Sequence, residues 1–250
     1  MTAPDLTAIA ADLFPHWPAT LHLQWREQCD STSTRLREED LPAGTVLIGG
    51  CQTAGRGQQG RPWRSLPGGL YLSARLDPDC PLEQASALQT GLIVGLVERL
   101  RADLGLPVGI KWPNDLVLER LKLGGLLVET ELRQQRLATT VIGVGVNVRN
   151  PVEFPGINLG DRPDLDLTRV TTTVLRGLAD GWRLGLGSEA GLSDRYDQLL
   201  VNRGQHIPWQ DGGEATVLGL APDGQLRLQT PEGLRTVAPG QLRLGYPTPG

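Results

Sequence analysis

Residues 49–75 read GGCQTAGRGQQGRPWRSLPGGLYLSAR. An apolar run, Val46 to Ile48, leads into them, and an alternating run through Leu70, Leu72 and Ala74 leads out. The segment is therefore a loop between two strands. Gly55, Gly57 and Gly60 let its backbone approach a partner closely, and Arg56, Arg61 and Arg64 supply guanidinium groups. Glycine and arginine together point to an anion. The loop is not a phosphate loop of the GxxxxGK[ST] kind, because no Lys-Ser or Lys-Thr follows the glycines.

The rest of the chain narrows the choice of anion. At 250 residues it is one large domain, or one domain with a small satellite. With 39% hydrophobic and 21% charged residues its composition is that of a globular protein. A net charge of −4 argues against a general nucleic-acid binder, so no DNA partner is expected. A basic loop in an acidic chain suits a small anionic ligand instead. Cys29, Cys51 and Cys80 show no CxxC spacing, and Met1 onward lacks a basic n-region. Reduced thiols in a cytoplasmic protein are expected. No apolar run approaches the roughly 18 residues of a membrane helix, so no membrane association is expected.

Of the 24 lysines and arginines only Lys111 and Lys122 are lysine, and both fall in KWPNDLVLERLKLGG. Two residues cluster by chance often enough. The alternative is that these two positions need a compact ammonium that a planar guanidinium cannot replace.

Around the loop the elements alternate. Leu21 to Trp25 reads as a strand, and Asp30, Ser31 or Thr32 caps a helix from Ser33 onward. Thr45 to Gly50 and Leu70 to Leu76 are strands. Pro81 starts a long helix to about Leu104, with a stripe through Leu88, Leu92, Leu96 and Leu100. Strands follow over Val108–Trp112, Leu116–Leu118, Leu121–Thr130 and Leu137–Val148. In the last, Gly143 and Gly145 allow a ligand or another backbone to come close. Pro151 to Asp166 is a loop, and Thr168 to about Arg183 and Ser188 to Leu200 are helical. From Arg203-Gly204 five short β-like runs follow: Gln205–Trp209, Glu214–Leu220, Gln225–Gln229, Gly233–Val237 and Gln241–Leu244. Turns such as Asp211-Gly212-Gly213 separate them, and the spacing predicts a small SH3-like barrel. The expected organisation is a catalytic domain over residues 1–200 and a barrel over 201–250.

The chemistry-bearing residues exclude several reaction classes. Histidine occurs only at His16, His22 and His206, and there is no GxSxG elbow or HExxH pair. What remains sits on loops at strand ends: Gln52, Arg56, Arg61, Lys111, Asn114, Asp115, Lys122 and Asn147. The set has no covalent nucleophile. It suits phosphoryl or nucleotidyl transfer, where the protein positions reactants and neutralises phosphate charge. Asp115 could hold Mg²⁺ with nucleotide phosphates. Each residue also has a plain structural reading, such as a turn at Asn114-Asp115. Their co-occurrence within one window favours a site.

The runs AGRGQQGRPW, KWPNDL, KLGGLLVE and IGVGVN, in this order, resemble the catalytic core of the biotin protein ligases. The resemblance covers roughly residues 20–245. It implies an α+β fold: a mixed β-sheet flanked by helices, of the class II aminoacyl-tRNA synthetase and biotin-lipoate ligase type, with a C-terminal SH3-like β-barrel. It also implies two steps. Biotin attacks the α-phosphorus of MgATP to give biotinyl-5′-AMP, and a lysine of a biotin carboxyl carrier protein then takes the biotinyl group. Carried over residue by residue, the family roles put Ser31, Thr32, Ser33 and Gln52 at biotin's ureido ring. Gly55, Gly57, Gln58, Tyr71 and Gly125 surround biotin, and Arg56 meets its carboxylate and the α-phosphate. Lys122 stabilises charge at the reacting centre. Arg61, Lys111, Asn114 and Asp115 face the phosphates and metal, and Trp63 and Asn147 hold adenosine. Arg56, Lys122 and Asp115 are the catalytic expectation.

Two positions depart from the family pattern. Ser33 stands where Asn is common after Asp-Ser-Thr, and Gln58 stands where a second arginine is common. A lipoate ligase shares the fold and chemistry, but its RRxSGGGxVxHD segment is absent. A biotin-sensing repressor is a further alternative; residues 1–20 are too short for a helix-turn-helix. Monomer and homodimer both stay open.

Overall fold

A computed structural model of the chain describes residues 3–160, 162, 164–187, 191–209 and 213–246. Helix α1 (Leu6–Leu13) is capped by Asp5, whose carboxylate accepts from the Thr7 and Ala8 amides. Strand β1 (His22–Cys29) crosses over through α2 (Thr32–Glu38) to the parallel β2 (Thr45–Gln52). After the glycine-rich loop come β3 (Leu70–Leu76), a two-residue β4 (Cys80–Pro81) and α3 (Ala85–Leu104). Then β5 (Gly109–Lys111), β6 (Asp115–Leu118), β7 (Leu121–Arg133) and β8 (Arg136–Val146) form a meander. Helices α4 (Leu167–Leu186) and α5 (Leu192–Leu199) follow. A second sheet holds β9 (His206–Pro208), β10 (Glu214–Leu220), β11 (Leu226–Thr230) and β12 (Gly233–Val237).

The large sheet has the order β1-β2-β3-β8-β7-β6-β5, with β4 beside β8. Only β1 and β2 are parallel neighbours, so the sheet is mixed. Side chains alternate between its faces. Val46, Ile48, Leu70, Leu72, Ala74, Ile142, Val144 and Val146 belong to the main core, shared with α3 and α4. The intervening Leu47 and Val141 point the other way, onto Leu36 of α2. The second face therefore carries α2, Ser73, Gly143 and Gly145, and it is the face that stays accessible.

Helices α3 and α4 pack backbone to backbone. A Cβ on Gly95 would lie 2.5 Å from the Gly181 nitrogen and 2.6 Å from the Gly177 oxygen, and one on Gly181 would lie 2.5 Å from the Leu92 Cα. Glycine at Gly91, Gly95, Gly177, Gly181 and Gly185 thus permits a contact that alanine would hold apart. The pair forms a largely apolar backing for the sheet.

The second sheet has the order β12-β11-β10-β9 and is antiparallel throughout. Its Ala215, Val217, Leu226 and Leu228 join the same buried cluster as the first sheet. Asp197 of α5 ties that helix to the second sheet: it accepts from the Leu220 amide at 2.7 Å and pairs with Arg227 at 3.2 Å.

Several expected boundaries move. The fifth run, Gln241–Leu244, forms no strand; it makes one isolated bridge, Pro239 to Leu242, and turns back towards the first sheet. Four strands replace the expected five. Pro81 does not start α3, because Cys80–Pro81 pairs with Leu137 and Arg136. A 3₁₀ turn, Leu82–Gln84, intervenes before Ala85. The expected helix from Ser188 is α5, beginning at Leu192; residues 188–190, and the Asp211-Gly212 part of the predicted turn, lie outside the described residues. Among the described residues, no helix is long and apolar enough to cross a membrane.

Candidate active site

The accessible face of the sheet holds a cavity of about 350 Å³. Its polar floor is built at the start of α2. Ser31 is the N-cap, in an extended conformation, and its hydroxyl accepts from the Thr34 amide at 3.4 Å. Asp30 lies just before it, where Arg35 hydrogen-bonds its carboxyl and pulls its pKa down to about 2. That pair fixes the turn so that Thr32 and Ser33 point at the sheet. The Thr32 amide donates to Gln52 Oε1 at 2.8 Å, and Gln52 Nε2 donates to Ser65 Oγ at 2.6 Å. Ser73 Oγ lies 2.8 Å from both Thr32 Oγ1 and Ser33 Oγ. Hydroxyls both donate and accept, so this floor can match a flat polar group with mixed donors and acceptors. Gly143 makes room for it: a Cβ there would meet Ser33 Oγ at 2.8 Å.

The glycine-rich loop forms one wall. It is tied off by Gln52 N to Ser65 O at 3.1 Å and Trp63 N to Gly55 O at 2.9 Å, and its tip is closed by Gly57 N to Arg61 O at 2.8 Å. Arg56 pairs with Glu129 of β7, and Arg37 of α2 reaches the same carboxylate at 3.1 Å. Trp63 lies flat against β8. A Cβ on Gly145 would stand 2.6 Å from its Nε1 and 2.7 Å from its Cε2. The indole nitrogen is buried and has no hydrogen-bond partner.

The opposite wall is the β5–β6–β7 meander. Asn114 donates its amide to the Leu126 carbonyl, and Leu126 N returns a bond to Asn114 O at 3.0 Å, so the KWPND turn is locked to β7. Asp115 then sits between two ammonium groups. Lys122 Nζ is 2.6 Å from Oδ1 and Lys111 Nζ is 3.7 Å from Oδ2. Lys111 is 8% exposed, and burial pushes its pKa below the usual lysine value, with Asp115 opposing that shift. Lys122 Nζ also lies 5.3 Å from the Trp63 ring. Arg56, Arg61, Lys111 and Lys122 face one cavity, where a desolvated anion gains most.

Most of the expected residues meet here. Ser31, Thr32, Ser33 and Gln52 line the cavity with Arg56, Gly57, Gln58, Arg61 and Trp63 from the loop. Lys111, Asn114, Asp115, Lys122 and Gly125 complete it. Three expected residues do not line it. Gly55 is packed beneath the loop, where a Cβ would meet Ser65 Oγ at 2.6 Å. Tyr71 is buried, and its hydroxyl donates to the Leu66 carbonyl at 2.7 Å, a task inside the fold. Asn147 borders an adjoining cleft of about 230 Å³ that also touches Trp63 and Lys122. There its amide nitrogen donates to the Ile157 carbonyl at 3.2 Å and its oxygen accepts from Asn150 at 3.0 Å.

Sequence reading missed Ser65, Ser73, Glu129 and the segment around Tyr246. The signal for Ser73 was a small polar side chain between Leu72 and Ala74 in the strand Leu70–Leu76. The signal for Tyr246 was scarcity: the chain has three tyrosines. Tyr71 donates to the Leu66 carbonyl at 2.7 Å, Tyr196 donates to the Pro113 carbonyl at 3.2 Å, and Tyr246 donates to Asp115 Oδ2 at 2.6 Å. Asp115 thus has one oxygen on Lys122 and the other on Tyr246. A metal at this carboxylate competes with both, and among the described residues no group of three His, Cys, Asp or Glu side chains could cage one.

Residues 25–147 match the Biotin/lipoate A/B protein ligase family. The chain is 28% identical over 244 residues to the bifunctional ligase/repressor BirA of Bacillus spizizenii, covering 90% of this chain and 74% of that one. It is 29% identical over 210 residues to the biotin–[acetyl-CoA-carboxylase] ligase of Mycobacterium tuberculosis, covering 78% and 76%. The matched stretch spans less than half of the ligase/repressors of Bacillus subtilis and Escherichia coli, 43% and 42% of their length. In three dimensions it resembles a biotin protein ligase from Aquifex aeolicus solved with biotin and ATP: TM-score 0.73 at 28% identity, covering 90% of this chain and 99% of that one.

Proposed function

We propose, because residues 25–147 match the biotin/lipoate A/B protein ligase family and the whole fold resembles a biotin protein ligase, that the chain is an ATP-dependent biotin protein ligase. It activates biotin as biotinyl-5′-AMP and transfers the biotinyl group to a lysine of a biotin carboxyl carrier protein. One observation carries this reading. The Ser31–Thr32–Ser33–Gln52 floor and the Arg56, Lys111 and Lys122 cations open into the same cavity. A polar uncharged ring and an anionic tail fit these two halves.

In the first step a biotin carboxylate oxygen attacks the α-phosphorus of ATP. The new O–P bond forms as the bond to pyrophosphate breaks. Two anions approach each other, so cations fixed in advance lower the barrier. Lys122, held at 2.6 Å by Asp115, and Arg56, held by Glu129, are pre-placed in that way. In the second step the acceptor amine attacks the acyl carbon, AMP leaves with the C–O bond pair, and the amine loses its proton. The floor residues bind the ureido ring, and Trp63 with Asn147 faces adenosine from the cleft between them. Magnesium enters as part of the MgATP substrate.

The test is intact-mass analysis of a carrier domain after incubation with this protein, MgATP and either biotin or lipoate. The expected result is a mass gain of one biotinyl group with biotin and none with lipoate. No gain with biotin overturns the assignment.

A further inference from the structure

The segment after β12 does not complete a barrel edge. It crosses to the first sheet and lines the cavity with Gly240, Leu242 and Tyr246. Gly240 lies against the loop tip, where a Cβ would meet the Gln59 amide. Tyr246 reaches furthest. Its hydroxyl donates to Asp115 Oδ2 at 2.6 Å, and its ring lies 4.3 Å from Lys111 Nζ. The same carboxylate holds Lys122 through Oδ1.

We propose that Tyr246 is a positioning residue, which divides the Asp115 carboxylate so that Lys122 stays aimed at the reacting centre. The proposal rests on the ligase reading. Asp115 has two ammonium neighbours and two oxygens. Without a third donor the carboxylate can rotate to sit between Lys111 and Lys122, drawing both towards itself. The tyrosine hydroxyl takes Oδ2 and leaves Lys111 at 3.7 Å, beyond hydrogen-bond range. The ring then covers Lys111 by a cation–π contact, so this buried ammonium keeps a favourable partner. Lys122 keeps its short bond to Oδ1, and its position is fixed by a residue 131 positions from Asp115. The C-terminal segment thereby completes the catalytic arrangement of the first sheet.

Two variants separate the hydroxyl from the ring. Tyr246→Phe keeps the ring and removes the donor; Tyr246→Leu removes both. Pyrophosphate release is measured with biotin and MgATP. Tyr246→Phe is expected to lower kcat by about tenfold or more, the scale of one charge-assisted hydrogen bond, with the biotin KM and the melting temperature unchanged. A purely structural role would instead move the melting temperature and the biotin KM together.

A second readout needs no turnover. The chain has two lysines, so ¹³Cε-lysine labelling gives two side-chain signals. The Lys111 signal is expected to carry a ring-current shift that persists in Tyr246→Phe and vanishes in Tyr246→Leu. A kcat for Tyr246→Phe within twofold of an active parent overturns the proposal. A Lys111 signal unmoved by Tyr246→Leu also overturns it. If the parent itself turns over no biotin, the ligase reading fails, and the lysine signals still decide the contact. Should Tyr246→Leu fail to fold, Tyr246→Phe decides by rate and spectrum together.

Discussion

Replacing Gly145 by alanine tests the arrangement of the site most directly. The new methyl would stand 2.6 Å from Trp63 Nε1, 2.7 Å from Cε2 and 3.0 Å from Cζ2. Carbon atoms in contact sit at about 3.5–4.0 Å, so the indole has to retreat by roughly 1 Å. No hydrogen bond resists the movement, because the indole nitrogen has none. Strand β8 itself accepts alanine, since Gly145 is not among the positive-φ glycines. The damage is therefore confined to the ring. Its cation–π contact with Lys122 contributes about 0.5–1 kcal/mol at a partly exposed site. A misplacement of this size near a reacting centre costs up to about 10²-fold. We expect the KM for ATP to rise about tenfold and the biotin KM to change by less than about threefold. Initial rates of pyrophosphate release against each substrate, with a thermal melt as control, provide the measurement. Gly143→Ala is the internal contrast: its methyl would meet Ser33 Oγ at 2.8 Å and is expected to raise the biotin KM instead. An unchanged ATP KM in Gly145→Ala, or the same change from both glycines, refutes the reasoning.

Lys122→Met removes the ammonium nearest Asp115 and is expected to slow adenylate formation by about 10²–10³-fold, the scale of losing one preorganised charge. Lys122→Arg should recover only a small part of that loss, because a planar fork cannot occupy the 2.6 Å geometry of a compact ammonium; pyrophosphate exchange measures both. Burial lowers the Lys111 pKa, so its charge is lost on the acid side of the usual lysine value. Activity should hold while Lys111 is protonated and fall as pH rises through that lowered pKa, and Lys111→Arg should move the alkaline limb of the kcat profile upward. Gln58→Arg adds a cation to the cavity wall and should slow release of biotinyl-AMP, read by quench-and-filter assay; equal release rates from both proteins would show that this loop position is neutral.

Local pattern was enough for the parts of the fold whose partners are near in sequence. The strand Leu70–Leu76 was legible from alternation, and the meander from Gly109 to Val146 from short turns between apolar runs. The two lysines marked the site, because each stands where a compact cation meets Asp115. What escaped depends on long-range contact. Glu129 reads as one charged residue in an alternating strand, and only the register of β7 on β8 puts it on the same face as Arg56. Gln241–Leu244 has the composition of a strand, but its fate is set by the cavity it faces rather than by its own period. Pro81 has the composition of a helix start, yet pairing with β8 takes it first. Tyr71 lies in the strand beneath the cavity but does not line it, because its hydroxyl is turned to the Leu66 carbonyl.

The scarcity of lysine has a chemical consequence for a protein that makes an acyl adenylate. Such mixed anhydrides acylate amines they meet, including those of the catalyst that releases them. Guanidinium groups stay protonated and do not compete. Here the cationic side chains outside the cavity are arginines, while Lys111 is buried and Lys122 is engaged by Asp115. Escaping intermediate therefore meets an outer surface whose cations are guanidinium groups, and the biotin it carries is spared for the acceptor or for water. The same property makes the protein a sparing target for its own diffusible label: lysine-bearing neighbours offer far more side-chain amines than its two.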